Sequence, residues 1–104
     1  MAVIINDINF EEIVLKSELP VMLDVYTEWC GPCRAIAPYI EQMATDYDGR
    51  AIIGKADAEK CPEISEKFGI RTVPTFLFFK NGKKVDDEKG ANKQSLINKL
   101  NALL

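Results

Sequence analysis

The chain has 104 residues, the length of one domain, and it can bury roughly 60–70% of its unfolded surface, so folding requires no metal ion or disulfide. A net charge of −3, spread without a long like-charge run, argues against nucleic acid or an anionic membrane as the main partner. Three cysteines cannot all pair within the chain, and the absence of histidine excludes Cys–His proteases, histidine general bases and most mixed zinc sites.

The N-terminal segment "MAVIINDINFEEIV" has neither a basic region nor an apolar run long enough for a signal peptide. No stretch of the chain approaches the ~20 apolar residues of a membrane helix. The sequence therefore predicts a soluble protein of a reducing cytoplasm, where a close cysteine pair is more often catalytic or metal-binding than structural. A mature exported protein with an added methionine would have the same N-terminus.

A short edge strand and a helix are predicted first. The apolar run at 2–5 indicates the strand. Asn6 or Asp7 is then placed to cap a helix over about 8–17. That helix is expected to bury an apolar face made of Ile8, Ile13, Val14 and Leu15.

The middle of the chain alternates buried strands with helices. "VMLDVY" (21–26) and "AIIGKA" (51–56) are nearly continuous apolar runs, which is typical of strands buried on both faces. Between them, apolar residues at helical spacing predict a helix over about 33–47, and Pro38 inside it predicts a kink. A short helix over about 62–67 begins with a proline.

The last third of the chain predicts a hairpin and a final helix. "TFLFFK" (75–80) is an apolar strand, and Asn81-Gly82 is a strong hairpin turn. The returning strand "KKVDDEK" (83–89) is polar enough for a sheet edge. An amphipathic helix over about 92–103 follows.

The predicted element order is βαβαβαββα. Strands separated by helices indicate parallel neighbours joined by right-handed crossovers, and the terminal hairpin adds an antiparallel pair. We therefore expect residues 1–104 to form one α/β domain, with a mixed five-stranded central sheet and four helices distributed over both faces.

Two cysteines lie where a buried strand meets a helix, in "TEWCGPCRAIAP" (27–38). At the helix N-terminus, unpaired N–H groups and the positive end of the helix dipole favour the thiolate form of Cys30, which is the nucleophilic form. Gly31 lets the backbone turn tightly, and Pro32 suits an early helical position. Cys33, one turn further, is close enough to form a disulfide with Cys30.

This arrangement predicts a two-step thiol–disulfide exchange. Cys30 attacks a substrate disulfide to form a mixed disulfide, and Cys33 then attacks Cys30 and releases the reduced substrate. Gly31 and Pro32 are expected to tune the redox potential. Two weaker interpretations remain: a zinc site, for which Cys61 is the only further cysteine where about four ligands are needed, and a structural disulfide, whose short loop would constrain the unfolded chain little.

Asp24 interrupts an otherwise apolar strand. A lone buried carboxylate costs several kcal/mol unless it is paired or protonated. Asp24 is therefore either a strand-end residue that reaches water or a carboxyl group with a raised pKa that accepts a proton from Cys33. Lys55, on the neighbouring strand, is a suitable partner to restrain its charge.

Val73-Pro74-Thr75 precedes the most apolar strand. A proline here requires a special turn, and the Val73–Pro74 bond is either a cis bond or a trans bond that simply begins the strand. The general preference for trans X-Pro bonds favours the second interpretation.

Taken together, "WCGPC", the aspartate six residues before the first cysteine, "GIRTVPTFLFFKNGK" and the late Gly90 resemble the thioredoxin family along essentially the whole chain. The resemblance implies the thioredoxin fold. It also implies that Cys30 is the nucleophile, Cys33 the resolving cysteine and Asp24 the buried acid/base acting on Cys33, with Lys55 beside it.

The resemblance further implies a cis Pro74 that faces the cysteines and keeps metals from occupying them. It implies a shallow surface that docks substrates, in which backbone groups of Val73 pair with the bound peptide. The residues implied for this surface are Trp29, Gly31, Pro32, Val73, Pro74, Gly90 and Ala91.

The partners and cofactors also follow from the resemblance. It implies a general protein-disulfide reductase that binds no cofactor itself and acts on oxidised, disulfide-containing proteins. Electrons would come from NADPH through a flavin-containing thioredoxin reductase. A monomer suffices for this activity, and neither nucleic acid nor a membrane is expected as a partner.

Two other functions compete with a reductase. Disulfide oxidases and isomerases of the same fold commonly carry histidine where Pro32 stands, and they would normally need an export signal. A non-catalytic interaction module would not need both cysteines, Asp24 and Pro74. Cys61 is an additional thiol, which is either structural or a regulatory site of oxidation; the second use requires exposure and a low pKa.

Overall fold

The computed structural model describes all 104 residues as a five-stranded sheet with four helices, in the predicted order. The strands are β1 (Val3–Ile4), β2 (Val21–Tyr26), β3 (Ile52–Asp57), β4 (Thr75–Lys80) and β5 (Lys83–Lys89). The helices are a short π-helix (Glu11–Leu15), α1 (Gly31–Asp46), α2 (Pro62–Lys67) and α3 (Lys93–Asn101). None of these helices is both long enough and apolar enough to cross a bilayer.

The sheet is mixed, with the strand order β1-β3-β2-β4-β5. β3 pairs in parallel with both β1 and β2, whereas β4 pairs antiparallel with β2 and β5. The predicted α/β class, mixed sheet and polar edge strand are confirmed. β2 has a partner strand on each side, which explains its almost uninterrupted apolar sequence.

The prediction that helix-separated strands are parallel neighbours is wrong for β1, which lies beside β3 and not β2, and for β4. β4 lies beside β2, not β3, and runs in the opposite direction, so that Thr75 at its start pairs with Val25 near the end of β2. The reason is that the chain between β3 and β4 contains only the six-residue α2 and returns to the sheet at the edge where β3 ended. This reversal places residues 73–74 at the end of β2.

Helices cover both faces of the sheet and create two apolar clusters. Side chains of α1 and α3 pack on one face with Met22, Phe76 and Phe78. Side chains of the π-helix and α2 pack on the other face with Leu23 and Phe79. Each fully buried side chain of this size stabilises the fold by about 1.5–3 kcal/mol relative to an exposed one. Because side chains alternate along a strand, Asp24 points to the same face as Met22, beneath α1.

The first helix is shorter than predicted, and Ile8 is 93% exposed, so it does not belong to the buried face. Asn6 Oδ1 accepts hydrogen bonds from the N–H groups of Ile8 and Asn9, each at 2.9 Å, and Asn9 Oδ1 accepts one from Asn6 N–H at 2.8 Å. These bonds close a turn before the helix. Phe10, which the sequence analysis missed, is buried in place of Ile8.

Asp7 caps a helix, but not the one next to it in sequence. Its carboxylate accepts hydrogen bonds from the N–H groups of Glu63 and Ile64, both at 3.0 Å, at the start of α2. Cys61, the residue that precedes α2, makes no such bond with its own side chain. Asp7 therefore ties the N-terminal turn to the helix that leads into β4.

We predict that Asp7→Ala lowers the free energy of unfolding by about 1 kcal/mol, because two N–H groups of α2 lose their acceptor. Urea denaturation monitored by circular dichroism measures this difference. Asp48→Ala is the matched control, since Asp48 is an exposed aspartate without a side-chain hydrogen bond, and it should change the stability little. Equal losses in the two variants would contradict the long-range cap.

Candidate active site

The two close cysteines lie at the junction of β2 and α1. Cys30 is the residue that precedes α1, with extended backbone angles (φ −87°, ψ 116°), and Pro32 occupies the first turn of the helix. Cys33 follows within that turn and is bonded to Cys30 as a disulfide, with a Cα–Cα separation of 5.2 Å. The local sequence explains this geometry, because glycine and proline are both well suited to the beginning of a helix.

The sulfur of Cys30 lies among groups that stabilise negative charge. The N–H of Cys33 donates a hydrogen bond to Cys30 Sγ at 3.1 Å, as a helix cap does. The positive end of the α1 dipole acts in the same direction. The carbonyl oxygen of Val73 also lies 3.6 Å from Cys30 Sγ, but as an acceptor it adds nothing to this stabilisation.

The two sulfurs differ in access. Cys30 is half-buried, whereas Cys33 is only 4% exposed. Trp29, immediately before Cys30, is 81% exposed, which is unusual for so large an apolar side chain. An external disulfide can therefore approach Cys30 but not Cys33.

Asp24 lies inside the protein, which excludes the interpretation that it reaches water from a strand end. It is 1% exposed, and its Oδ1 has no hydrogen-bond partner within the protein. Burial raises the pKa of Asp24 from 3.8 to about 7, and the positive charge of Lys55 partly opposes this rise. Asp24 can therefore change its protonation state near neutral pH.

A cavity of about 240 Å³ lies between Asp24 and Cys33. Cys33 from α1, Asp24 from β2 and Lys55 from β3 all line it. The remaining lining residues are Tyr26, Thr27, Glu28, Arg34 and Ala37. The structure thus brings Asp24, Lys55 and Cys33 to the lining of one cavity.

Lys55 is opposite Asp24 in the β2–β3 register, but its ammonium group forms no ion pair with that carboxyl group. Instead, Lys55 Nζ lies 3.8 Å from Glu41 Oε2 and 5.0 Å from the centre of the Tyr26 ring. Glu41 was missed in the sequence analysis. Its spacing from Cys33 and Ala37, at intervals of four residues on α1, could have placed it on the same helix face.

The peptide bond between Val73 and Pro74 is cis, as the family resemblance implied and contrary to the general preference for trans. The surrounding segment is fixed by hydrogen bonds from Thr75 Oγ1 to the Thr72 carbonyl oxygen at 2.7 Å and from Gly90 N–H to the Pro74 carbonyl oxygen at 2.9 Å. Neither the N–H nor the carbonyl group of Val73 forms a backbone hydrogen bond.

The residues implied for substrate docking come from three places in the sequence. They meet at the edge of the sheet that is formed by strand ends, because β2 ends, β4 begins and β5 ends there. All are exposed or half-buried except Pro74, which is buried. The set comprises Trp29, Gly31, Pro32, Val73, Pro74, Gly90 and Ala91.

Cys61 lies away from this edge and is 2% exposed. Its thiol donates a hydrogen bond to the Ile5 carbonyl oxygen at 3.7 Å. Burial, together with the negative charges of Asp7 and Asp57, raises the pKa of Cys61. Both properties oppose thiolate formation, so Cys61 lacks the exposure and the low pKa that an oxidation-sensitive site requires. No three His, Cys, Asp or Glu side chains are grouped as ligands for a metal ion.

Comparison with known proteins places the chain among close relatives. The family model described as "Thioredoxin" matches residues 1–102. The chain is 44% identical to the thioredoxin of Rickettsia bellii over 102 residues, which cover 97% of each chain. It is 44% identical to the thioredoxin of Chlorobaculum thiosulfatiphilum, with 90% of this chain and 87% of the relative covered. The M-type chloroplastic thioredoxin of Spinacia oleracea is 42% identical over 89% of this chain and 51% of its own length.

We predict that Asp24→Asn increases the free energy of unfolding, with a gain that depends on pH. Below about pH 4, Asp24 is protonated in both the folded and unfolded protein, so the variant gains little. As the pH rises from about 4 to about 7, the unfolded chain ionises while the folded protein retains the proton. The gain grows over this interval and then levels off, at a value of the order of 4 kcal/mol.

Urea titrations of both proteins at several pH values measure this gain. Asp48→Asn, in which an exposed aspartate is neutralised, is the control and should show no comparable pH dependence. A gain that is constant from pH 4 to pH 8 would show that Asp24 ionises normally in the folded protein.

Proposed function

Because this chain belongs to the thioredoxin family, it is a thiol-disulfide oxidoreductase with protein-disulfide reductase activity, and we propose that Cys30 is its nucleophile and Cys33 its resolving thiol. The observation that carries this assignment is the unequal access to two sulfurs at disulfide distance. Residues 1–104 would act as one thioredoxin domain.

In the first step of the proposed cycle, the Cys30 thiolate attacks one sulfur of a substrate disulfide. The substrate S–S bond breaks, a mixed disulfide forms, and the first substrate sulfur leaves as a thiolate that takes up a proton. The Cys33 N–H and the α1 dipole stabilise the attacking thiolate. Only Cys30 has the access that this step requires.

In the second step, Cys33 loses its proton to Asp24 across the shared cavity and attacks Cys30 Sγ. The mixed disulfide breaks, the second substrate sulfur leaves, and the Cys30–Cys33 disulfide remains. Two electrons have then moved from the dithiol to the substrate. An Asp24 pKa of about 7 suits this role, because proton transfer is most effective when the pKa of the acceptor is close to the working pH.

The other predicted residues would position the reacting groups. Gly31 and Pro32 would set the geometry of the dithiol ring and contribute to its redox potential, and Lys55 would restrain the charge of Asp24. Pro74 would face the disulfide and keep metals from the cysteines. Val73 would offer its N–H and carbonyl groups, which form no backbone hydrogen bonds within the chain, to the backbone of a bound peptide, in the manner of an added strand.

The exposed edge around Cys30 would dock the protein substrates. Trp29 contributes a large apolar surface, and Gly31, Pro32, Gly90 and Ala91 have small or flat side chains that leave room for another chain. Exposed apolar surface of this kind marks interaction sites. The substrates would be oxidised, disulfide-containing proteins.

Reducing equivalents would come from NADPH through a flavin-containing thioredoxin reductase that docks on the same edge. The protein itself would bind no cofactor and act as a monomer in a reducing cytoplasm. Neither nucleic acid nor a membrane would be a partner. The acidic composition, with a net charge of −3, supports the last point.

We predict that Cys33→Ser accumulates a mixed disulfide with a disulfide-bonded peptide, because Cys30 can attack but nothing resolves the product. Intact mass spectrometry should show an added mass of one peptide chain at Cys30. Cys30→Ser should form no such adduct, since Cys33 is buried.

A variant with serine at both positions provides the blank and reports on Cys61, which should remain unmodified. An adduct at Cys33 in Cys30→Ser, formed as quickly as the adduct at Cys30 in Cys33→Ser, would reverse the assigned roles.

We also predict a reducing potential for the Cys30–Cys33 couple, in the region of about −270 mV that is typical of thioredoxins. Equilibration with glutathione or dithiothreitol buffers measures it, with Cys30→Ser as the control that cannot close the disulfide. A value near about −120 to −180 mV would instead favour a disulfide oxidase or isomerase.

A further inference from the structure

We propose that Glu41 is a positioning residue that holds the Lys55 ammonium group against α1 and away from Asp24, so that the Asp24 carboxyl group can both accept and release a proton. This proposal rests on the function proposed above for Asp24, and it concerns a residue outside the cysteine motif and outside the docking edge.

The position of Lys55 is the first observation. The backbone register places Lys55 directly opposite Asp24 on neighbouring parallel strands, where an ion pair would be expected. The only carboxylate that forms an ion pair with Lys55 is nevertheless Glu41, at 3.8 Å. The Tyr26 ring, 5.0 Å from Lys55 Nζ, offers the ammonium group a second favourable contact besides Glu41.

The position of Glu41 is itself fixed. Its Oε1 accepts a hydrogen bond from the N–H of Ala2 at 2.9 Å, and Ala2 is buried against the core. This bond directs the other oxygen, Oε2, towards Lys55. The two oxygens of one carboxylate therefore connect the N-terminal strand region, α1 and β3. The side chains of Lys55 and Glu41 are 19% and 39% exposed, so solvent screens their attraction only in part.

Of the charged and titratable groups around Asp24, Lys55 is the one whose charge acts on the pKa of Asp24. α1 contributes Cys33 and Arg34 to the cavity, the end of β2 and the following loop contribute Tyr26 and Glu28, and β3 contributes Lys55. β4 contributes apolar Phe76 beside Asp24. Among these groups, Lys55 is the one whose charge lowers the pKa of Asp24 against the effect of burial.

The distance of the Lys55 ammonium group from Asp24 therefore determines how strongly its charge lowers the pKa of Asp24. If the ammonium group moved to Asp24, it would stabilise the carboxylate and lower its pKa, and Asp24 would be mostly ionised at pH 7. With Lys55 held by Glu41, its positive charge opposes the effect of burial on the pKa of Asp24 only in part. Asp24 then keeps a pKa near 7, where it can take a proton from Cys33 and later return it.

The test is an NMR titration of the Asp24 side-chain carboxyl carbon in the oxidised protein and in Glu41→Gln. Glutamine keeps the oxygen that accepts the Ala2 N–H and removes the charge that holds Lys55. We expect the pKa of Asp24 to fall by about 1 in this variant, because Lys55 becomes free to approach it. Asp46→Asn removes the same charge from the same helix and should leave the Asp24 pKa unchanged.

A second pair of proteins separates positioning from a direct effect of the Glu41 charge. In a Lys55→Met background, Glu41→Gln should not change the Asp24 pKa further. An unchanged or higher Asp24 pKa in Glu41→Gln alone would overturn the proposal, and so would an equal fall with and without Lys55. This readout needs no turnover: if Asp24→Asn resolves mixed disulfides normally, the catalytic role of Asp24 fails, while the titration still decides whether Glu41 positions Lys55.

Discussion

The pairing of β2 on both sides is the constraint on which the rest of the structure depends. β3 runs parallel to it and β4 antiparallel, so β2 lies at the centre of the sheet with helices on both faces. This position buries Asp24, brings Lys55 next to it and directs the end of β2 into the helix that carries the cysteines. The same pairing brings the start of β4 to the end of β2, and the carbonyl oxygen of Val73, just before β4, lies 3.6 Å from Cys30 Sγ.

The site combines two kinds of electrostatic control on groups that are close together. At Cys30, fixed dipoles of the helix N-terminus favour negative charge on a sulfur that substrates can reach. At Asp24, removal from water disfavours negative charge on a carboxyl group that substrates cannot reach. In the cycle proposed above, the first control favours nucleophilic attack by Cys30, and the second supports proton acceptance by Asp24. Cys33, Asp24 and Lys55 line one cavity.

A buried carboxyl group of this kind lowers the stability of the fold at neutral pH, and the surrounding core compensates. Two apolar clusters, one on each face of the sheet, enclose the strand that carries Asp24. The charge of Lys55 offsets part of the unfavourable burial of Asp24, while its ammonium group contacts Glu41 and the Tyr26 ring. Side chains from α1, β2 and β3 therefore act together on the charge of Asp24.

The sequence alone determined the features that depend on neighbouring residues. These include the strands around Asp24 and Phe76, the hairpin at Asn81-Gly82 with positive φ angles at both residues, and the start of a helix at the cysteine motif. In each case a short run of residues contains the physical cause, whether apolar continuity, glycine at a left-handed position or proline in a first helical turn.

Only the tertiary structure decided the features that depend on residues far apart in the chain. The direction of β4 follows from the path of the chain after α2, and local propensity does not record that path. Asp7 caps a helix that begins 55 residues later, and Glu41 rather than Asp24 pairs with Lys55. These interactions depend on which elements meet in space, since a side chain bonds to the nearest suitable group and the fold determines which group that is.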